Sequence, residues 1–520
     1  MFDCLIANGV LVDGTGRSRE RADVALSGDR IAAIGSLAGQ PARQVVDATG
    51  RIVAPGFIDV HNHDEGWLLK DPHYAVKTIQ GYTSEILMSD GISYAPLTPA
   101  VAPEIIAYWR GINGLEPQEY EGWSDIAGFM RRLDRRMPTH ALPLVPYANL
   151  RAIAKGWGPA MPDVAQSAQI AGLIGEGMQA GAAGLSVGMD YAGQCFASTA
   201  ELVQACQSLR AYDGVFVMHI RYALGRLEAL QEAVRIGRQA GVAVHISHLM
   251  GRTPQESVAL LEYIDHVAVH EVDFSFDSIP YCSSCTLLSS QLPLQAWDQG
   301  PSGALRRMQD PELRRRMAAS LAALNLENYR IAWIPGGRHD LLFGQSLAQY
   351  VADRQEPAER AVLNLLEETQ LAVLMVYRYG TGDEPVWPFL AHRCCMLGSD
   401  GIWFPQGQVH PRACGSAARM LGDLVRRQKL FTLEQAVHAM TGRPAARFGL
   451  RGRGELAAGN FADLVVFDPD CVQDHATYEQ PRLASSGVEQ VWVNGCPVVR
   501  DSQPCQPATP PGRALRYCQP

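Results

Sequence analysis

The sequence predicts an α/β protein: a (β/α)8 barrel with a small β-sandwich built from both chain ends and an inserted subdomain between the last two barrel strands. Three observations carry this. Eight apolar, strand-like runs recur along the middle of the chain, with helical spacing between several of them. Both ends share another texture, short strands punctuated by turns. A long charged interval, about 283–345, separates the seventh run from the eighth.

Residues 1–54 supply the first half of the sandwich. Phe2 to Ala7, Val10 to Val12, Val24 to Leu26 and Ile31 to Ile34 are β-rich, with Asn8-Gly9 and Gly28-Asp29 as turn signals between them. The barrel is expected over 55–450. Its strands fall at 56–60, 84–88, 141–145, 182–187, 214–218, 242–246, 272–276 and 394–398. Ile170, Leu173, Ile174 and Met178 keep one helical face, as do Leu227, Leu230 and Val234. The inserted interval holds the helix candidate DPELRRRMAASLAAL, in which Arg314, Arg315 and Arg316 read as a solvated face. Residues 451–520 return to β texture, with strands at Ala462 to Asp468 and Val488 to Val493 and a hairpin signal at Asn494-Gly495. Beyond Asp501 the chain is rich in proline and polar residues and is expected to lie extended on the surface.

Composition narrows the class. A chain of 520 residues, 47% of them hydrophobic, can bury a large core. A net charge of -9 argues against nucleic acid or an anionic membrane as partner. No apolar run reaches the roughly 18 residues that span a bilayer. The first residues, MFDCLIANGVLVDGTG, lack the basic-then-apolar order of a signal peptide. Twelve scattered cysteines fit a reducing compartment, and a cytoplasmic enzyme is expected, with self-association left open. Cys394 and Cys395 read as strand filler.

The chemistry sits where apolar runs end. His61 and His63 close the first run in GFIDVHNHDE; two apart on a strand, they face the same way. His219 (VFVMHIRY), His248 (VHISHLM) and Asp400 (MLGSDG) end the fifth, sixth and eighth runs. In a closed barrel those ends converge on one axis, at the face where barrel active sites lie. Imidazole and carboxylate are the ligand set of Zn2+ or a similar cation, bound as one or two ions. Asp90, in LMSDGISYAP, is either a further ligand that bridges two metals or an Asp-Gly turn residue. Asp64 and Glu65 either orient an imidazole or are solvated loop acids.

The segments PGFIDVHNHDE, GLSVGMDY, MHIRY, ISH, GSDG and HPRACG resemble the amidohydrolase superfamily. More narrowly they resemble its D-aminoacylase (N-acyl-D-amino-acid deacylase) branch, as does the tail segment GRGELAAGNFADLVVFDPDCVQDHATYEQP. The resemblance implies one metal site from His61, His63 and Asp400. It implies a tighter one from His219, His248 and a strand-two residue, which is typically Cys in the branch and Asp90 here. It makes Asp400 the catalytic acid/base, gives Arg412 (VHPRACG) and Tyr281 (DSIPY) to the substrate carboxylate, and gives Tyr191 (GMDYAG) to the scissile amide. Two departures stand out: the branch's His-His-Lys is His248-Leu249-Met250, and Tyr147 stands where a His is common. The implied reaction is hydrolysis of an N-acyl-D-amino acid, a small-molecule amide carrying a carboxylate, to a D-amino acid and a carboxylate. Opening of a cyclic amide, as by a hydantoinase or dihydropyrimidinase, is the alternative. A non-enzymatic assembly scaffold is a further one, against which the retained ligand-type residues weigh.

Overall fold

Eight parallel strands close on themselves. In the computed structural model, which describes residues 1–336, 340–379 and 382–518, they are β1 (Phe57–Asp59), β2 (Tyr82–Leu87), β3 (His140–Pro143, continuing as Val145–Pro146), β4 (Gly184–Gly188), β5 (Val215–His219), β6 (Ala243–Ile246), β7 (Phe274–Ser278) and β8 (Cys395–Leu397). Small parts of the expected insertion (337–339) and tail (519–520) lie outside the described residues. The order runs β1 to β8 around the barrel, with a break in β3 at Leu144. The ring shuts where Asp400 N–H donates to His61 O (2.7 Å) and His63 N–H to Gly401 O (3.0 Å). Helices cover the barrel, so the strands bury both faces and read as continuous apolar runs.

The helices follow from local signals. Val164–Gln179 starts at an Asp163 cap with Gln166 reaching back, and buries Ile170, Ile174 and Met178. Arg226–Ala240 buries Ala229, Leu230, Ala233, Val234 and Gly237. Its expected face was one turn off at the start, because Leu227 is exposed.

A buried lysine locks the closure. Lys77 Nζ lies 2.5 Å from Asp59 Oδ2, 2.7 Å from Ser399 Oγ and 3.2 Å from Asp64 Oδ2. Asp59 also accepts from Ser399 N–H (2.9 Å), so one ion pair ties the end of β1 to the loop after β8. Burial alone would discharge the amine, but Asp59 and then Asp64 hold its pKa above the ordinary value.

Both chain ends build the sandwich. One sheet contains Phe2–Ala7, Asp23–Ser27, Arg30–Gly35 and Ala42–Asp47. In the other, Ile52–Pro55 pairs antiparallel with Leu464–Phe467, which joins the first half of the chain to the last. Ile6, Val24, Leu26, Val53, Leu464 and Trp492 fill the space between them.

The inserted segment forms an antiparallel sheet of Ser283–Leu287, Leu374–Arg378 and Tyr329–Trp333; its strand Leu374–Arg378 lies beyond the interval 283–345 marked from sequence. Helix Pro311–Ala322 buries Leu313, Met317 and Leu321, and leaves Arg315 and Arg316 outward, paired with Glu312. The tail corrects an expectation. Rather than lying free on the surface, it buries Pro510 to Gly512 and runs beside β3. Ala141 N–H donates to Arg513 O (3.0 Å), and Leu515 N–H to Ala141 O (2.7 Å). The break at Leu144 parts the first half of β3 from β4, and the tail satisfies the backbone groups this exposes.

Two outcomes are expected. Lys77→Met leaves buried carboxylates unpaired and should cost about 3–5 kcal/mol in denaturant unfolding; a loss under about 1 kcal/mol would remove Lys77 from the closure. His140, at the start of β3, lies between Asp463 (3.1 Å) and Arg453 (2.8 Å). Burial, then Arg453, holds its pKa down at about 4. Below about 6.5 the unfolded chain takes up a proton that folded His140 refuses, so stability should fall as pH drops from about 6.5 to about 4. That slope should flatten in His140→Asn; an unchanged slope contradicts the assignment.

Candidate metal centre and active site

The C-terminal ends of β1, β2, β5, β6 and β8 bring His61, His63, Asp90, His219, His248 and Asp400 together, all buried. Asp90, His248 and Asp400 sit in the left-handed region, with φ of 55°, 37° and 47°. Such backbone persists only where the surroundings hold it, and it turns each side chain into the barrel mouth. Gly188 lets β4 press against this loop: a Cβ there would lie 2.3 Å from Asp90 O.

Asp90 is the hub. Its Oδ1 lies 3.5 Å from His61 Nε2. Its Oδ2 lies 3.7 Å from His63 Nε2, 3.4 Å from His219 Nδ1 and 3.6 Å from His248 Nε2. Asp400 Oδ1 lies 3.4 Å from His63 Nε2 and 3.7 Å from His61 Nε2. These separations are too wide for good hydrogen bonds. They match the edge of a tetrahedron: ligand bonds of about 2.0–2.1 Å put ligand atoms about 3.4 Å apart. His61 Nε2 and Asp90 Oδ1 are buried without a hydrogen-bond partner. Two triads, His61/His63/Asp400 and His61/Asp90/His248, are placed to hold a cation. Asp90 is thus both things at once, a residue of the Ser89–Gly91 turn and a carboxylate aimed at the imidazoles.

The electrostatics agree. Burial would raise the Asp90 carboxyl, but His61, then His219 and His248, hold it well below the usual range. Asp400 is likewise held low against burial, first by Arg412 and then by His61. Burial lowers His219, yet Asp90 and Asp190 lift it to about 10. The carboxylates stay ionised and draw positive charge into the site; a divalent cation would supply it with the imidazoles neutral.

Other groups brace the imidazoles. Asp277 lies 3.5 Å from His61 Nδ1 and 3.1 Å from His245 Nε2, and accepts from His248 N–H (2.9 Å). Asp190 Oδ2 lies 3.2 Å from His219 Nε2, and the Tyr222 hydroxyl 3.2 Å from His248 Nδ1. The sequence reading missed all three. Asp277 carried a signal, since it too is a carboxylate at the end of an apolar run. Asp64 and Glu65 are not solvated loop acids, and Glu65 lies close enough to His63 to feel its charge. Both are buried; Asp64 accepts from Tyr74 (3.0 Å) and pairs with Lys77, while Glu65 accepts from Met88 N–H (2.8 Å) and Asn113 (2.6 Å).

A cavity of about 610 Å³ opens above the cluster, walled by barrel loops and by the inserted sheet through Ser284, Thr286 and Tyr377. Tyr191 lines it, its hydroxyl 3.2 Å from Thr286 Oγ1. Two expected substrate contacts are corrected. Arg412 is fully buried behind Asp400, with Nη1 2.8 Å from Asp400 Oδ2; a guanidinium buried there must pair with the nearest carboxylate. Tyr281 turns away, its ring 4.4 Å from the Arg419 guanidinium and its hydroxyl 3.5 Å from Asp474. Met250 lines the cavity where the branch has Lys. Tyr147 instead donates to Glu201 (2.7 Å).

Metal binding checks this geometry. Asp277→Asn should weaken it by about 10- to 100-fold, as loss of a ligand-orienting group does, and Asp90→Ala by more. Competition with a chromophoric chelator measures both; parental affinity in Asp90→Ala would remove Asp90 from the site.

The Amidohydrolase family profile matches residues 44–280 and 393–499, leaving out the segment that carries the inserted sheet. An N-acyl-D-glutamate deacylase of Alcaligenes xylosoxydans xylosoxydans is 36% identical over 521 residues, covering 99% of this chain and 96% of that one. The crystal structure of N-acyl-D-glutamate deacylase from Bordetella bronchiseptica, complexed with zinc and a phosphonate mimic of the tetrahedral intermediate, superposes with a TM-score of 0.84 at 34% identity, over 99% of both chains. A D-aminoacylase structure from work on its binuclear metal centre gives 0.80 at 31% identity, over 99% of this chain and 100% of that one. With its barrel, its two-ended sandwich and its cluster of imidazoles and carboxylates, the chain belongs to the amidohydrolase family.

Proposed function

We propose that the protein hydrolyses the amide bond of an N-acyl-D-amino acid, giving a D-amino acid and a carboxylate. The observation that carries this is Asp400: an ionised carboxylate at the cavity floor, facing the imidazole cluster through Oδ1 and anchored by Arg412 through Oδ2. The full-length likeness to deacylases of that substrate class supports it.

His61, His63, Asp90, His219, His248 and Asp400 would hold Zn2+ or a similar divalent cation, as one or two ions. Such a cation, when bound, polarises an amide carbonyl and acidifies a water. The chain's own groups do the rest. Asp400 takes a proton from the attacking water and returns it to the amide nitrogen as the C–N bond breaks. Arg412 keeps Asp400 ionised and its free oxygen aimed at the cavity. Tyr191, beside His219, would hold the scissile amide. Met189, Met250, Ile279, Leu292 and Leu294 give the cavity an apolar wall that suits an acyl chain.

In this reading residues 1–54 and 451–520 supply the two parts of the sandwich domain and a tail, and 55–450 the barrel with its insertion. The scattered cysteines, with buried thiols such as Cys206 and Cys395 free, support the reading of a protein that works in the cytoplasm. No helix among the described residues is long and apolar enough to cross a membrane.

Steady-state kinetics on matched N-acyl-D- and N-acyl-L-amino acids, beside hydantoins and dihydropyrimidines, test the proposal. Turnover of the D series is expected; turnover of the cyclic amides alone overturns it. Asp400→Asn should keep the fold and a bound metal, since Asp90, His219 and His248 are untouched, while kcat falls by about 10²- to 10⁴-fold. Parental turnover in that variant would remove Asp400 from the acid/base role.

A further inference from the structure

We propose that Arg252 determines specificity, its guanidinium, exposed at the rim of the cavity, taking a carboxylate of the substrate. This rests on the reading of the protein as an N-acyl-D-amino-acid hydrolase. A substrate acid entering an apolar-walled cavity needs a cation, because an unpaired carboxylate is costly to desolvate.

Three arginines line the cavity: Arg221, Arg226 and Arg252. Arg221 is committed, its Nε 3.1 Å from Glu232 and its Nη1 and Nη2 donating to the carbonyls of Cys195 (2.9 Å) and Ala197 (2.7 Å). Arg226 pairs with Glu256 Oε1 at 3.4 Å and covers the Tyr222 ring. The other Glu256 oxygen accepts from the backbone N–H of Arg252 (2.7 Å), not from its side chain. Arg412 is fully buried behind the cavity, ion-paired with Asp400. Among the described residues, Arg252 is therefore the cavity arginine whose guanidinium has no carboxylate partner. Nη2 donates to the Tyr379 hydroxyl (3.0 Å), and the guanidinium stacks over that ring at 4.2 Å.

Its position suits the role. Arg252 follows His248 by four residues, on the loop that delivers an imidazole to the floor. Tyr379 follows the inserted strand Leu374–Arg378, so the insertion holds the guanidinium in place while one edge of the fork stays open. A planar fork so held accepts a carboxylate in bidentate fashion with little further ordering. The acid it meets is either the α-carboxylate, common to all N-acyl-amino acids, or the side-chain acid of an acidic residue.

Arg252→Met and Arg252→Lys, as full-length metal-loaded enzymes, separate these cases on N-acetyl-D-leucine and N-acetyl-D-glutamate. Arg252→Met should raise KM about tenfold or more, with kcat changed by no more than about threefold; Arg252→Lys should recover part of the loss. The inhibition constant of N-acetyl-D-leucinamide, which has no acid, should not move. A rise on both substrates assigns the α-carboxylate, and a rise on N-acetyl-D-glutamate alone assigns the side-chain acid. Parental turnover of both with KM unchanged in Arg252→Met overturns the inference by itself. A parental enzyme that turns over neither overturns the underlying reading, and the inference with it.

Discussion

The carboxylate of Asp90 sits inside the barrel mouth with four imidazoles around its two oxygens, at separations of 3.4–3.7 Å. Burying an anion is tolerable only with a compensating charge close by, and hydrogen bonds at that range do not provide one. Asp400 adds a second carboxylate to the same rings. A cation at its centre would reconcile the arrangement. With a hard carboxylate at position 90, every ligand atom would then be nitrogen or oxygen.

Much of the scaffold serves to hold those groups at that spacing. Lys77, paired with Asp59 and bonded to Ser399, fixes β1 against the loop after β8 and so sets His61 and His63 opposite Asp400. Asp277 spans β6 and β7, bracing His61, His245 and the backbone of His248 at once. The left-handed backbone at Asp90, His248 and Asp400 is strain the packed barrel can carry, and it falls at three residues of the cluster. The inserted sheet contributes no ligand to the cluster; it walls the cavity and, through Tyr379, holds the Arg252 guanidinium.

The eight strands and all six residues of the cluster were legible in the sequence for one physical reason. Strands buried on both faces read as unbroken apolar runs, and a His or Asp that ends such a run is conspicuous. What stayed hidden depends on partners far away in the chain. Whether Arg412 meets substrate or Asp400 is decided by burial, which a motif does not express. Tyr281 is claimed by Arg419 and Asp474, from a helix and a loop well over a hundred residues on. Asp190 and Tyr222 act on imidazoles of other segments, with no periodicity to mark them. The tail's return to β3 follows from the break at Leu144, which an apolar run does not reveal.

Anomalous diffraction at a metal absorption edge, from crystals of protein purified without chelator, tests the central claim most directly. A peak should lie between Asp90 and the rings of His61, His63, His219 and His248, with nitrogen and oxygen neighbours at about 2.0–2.2 Å. Ordered side chains with no anomalous scatterer among them would contradict it.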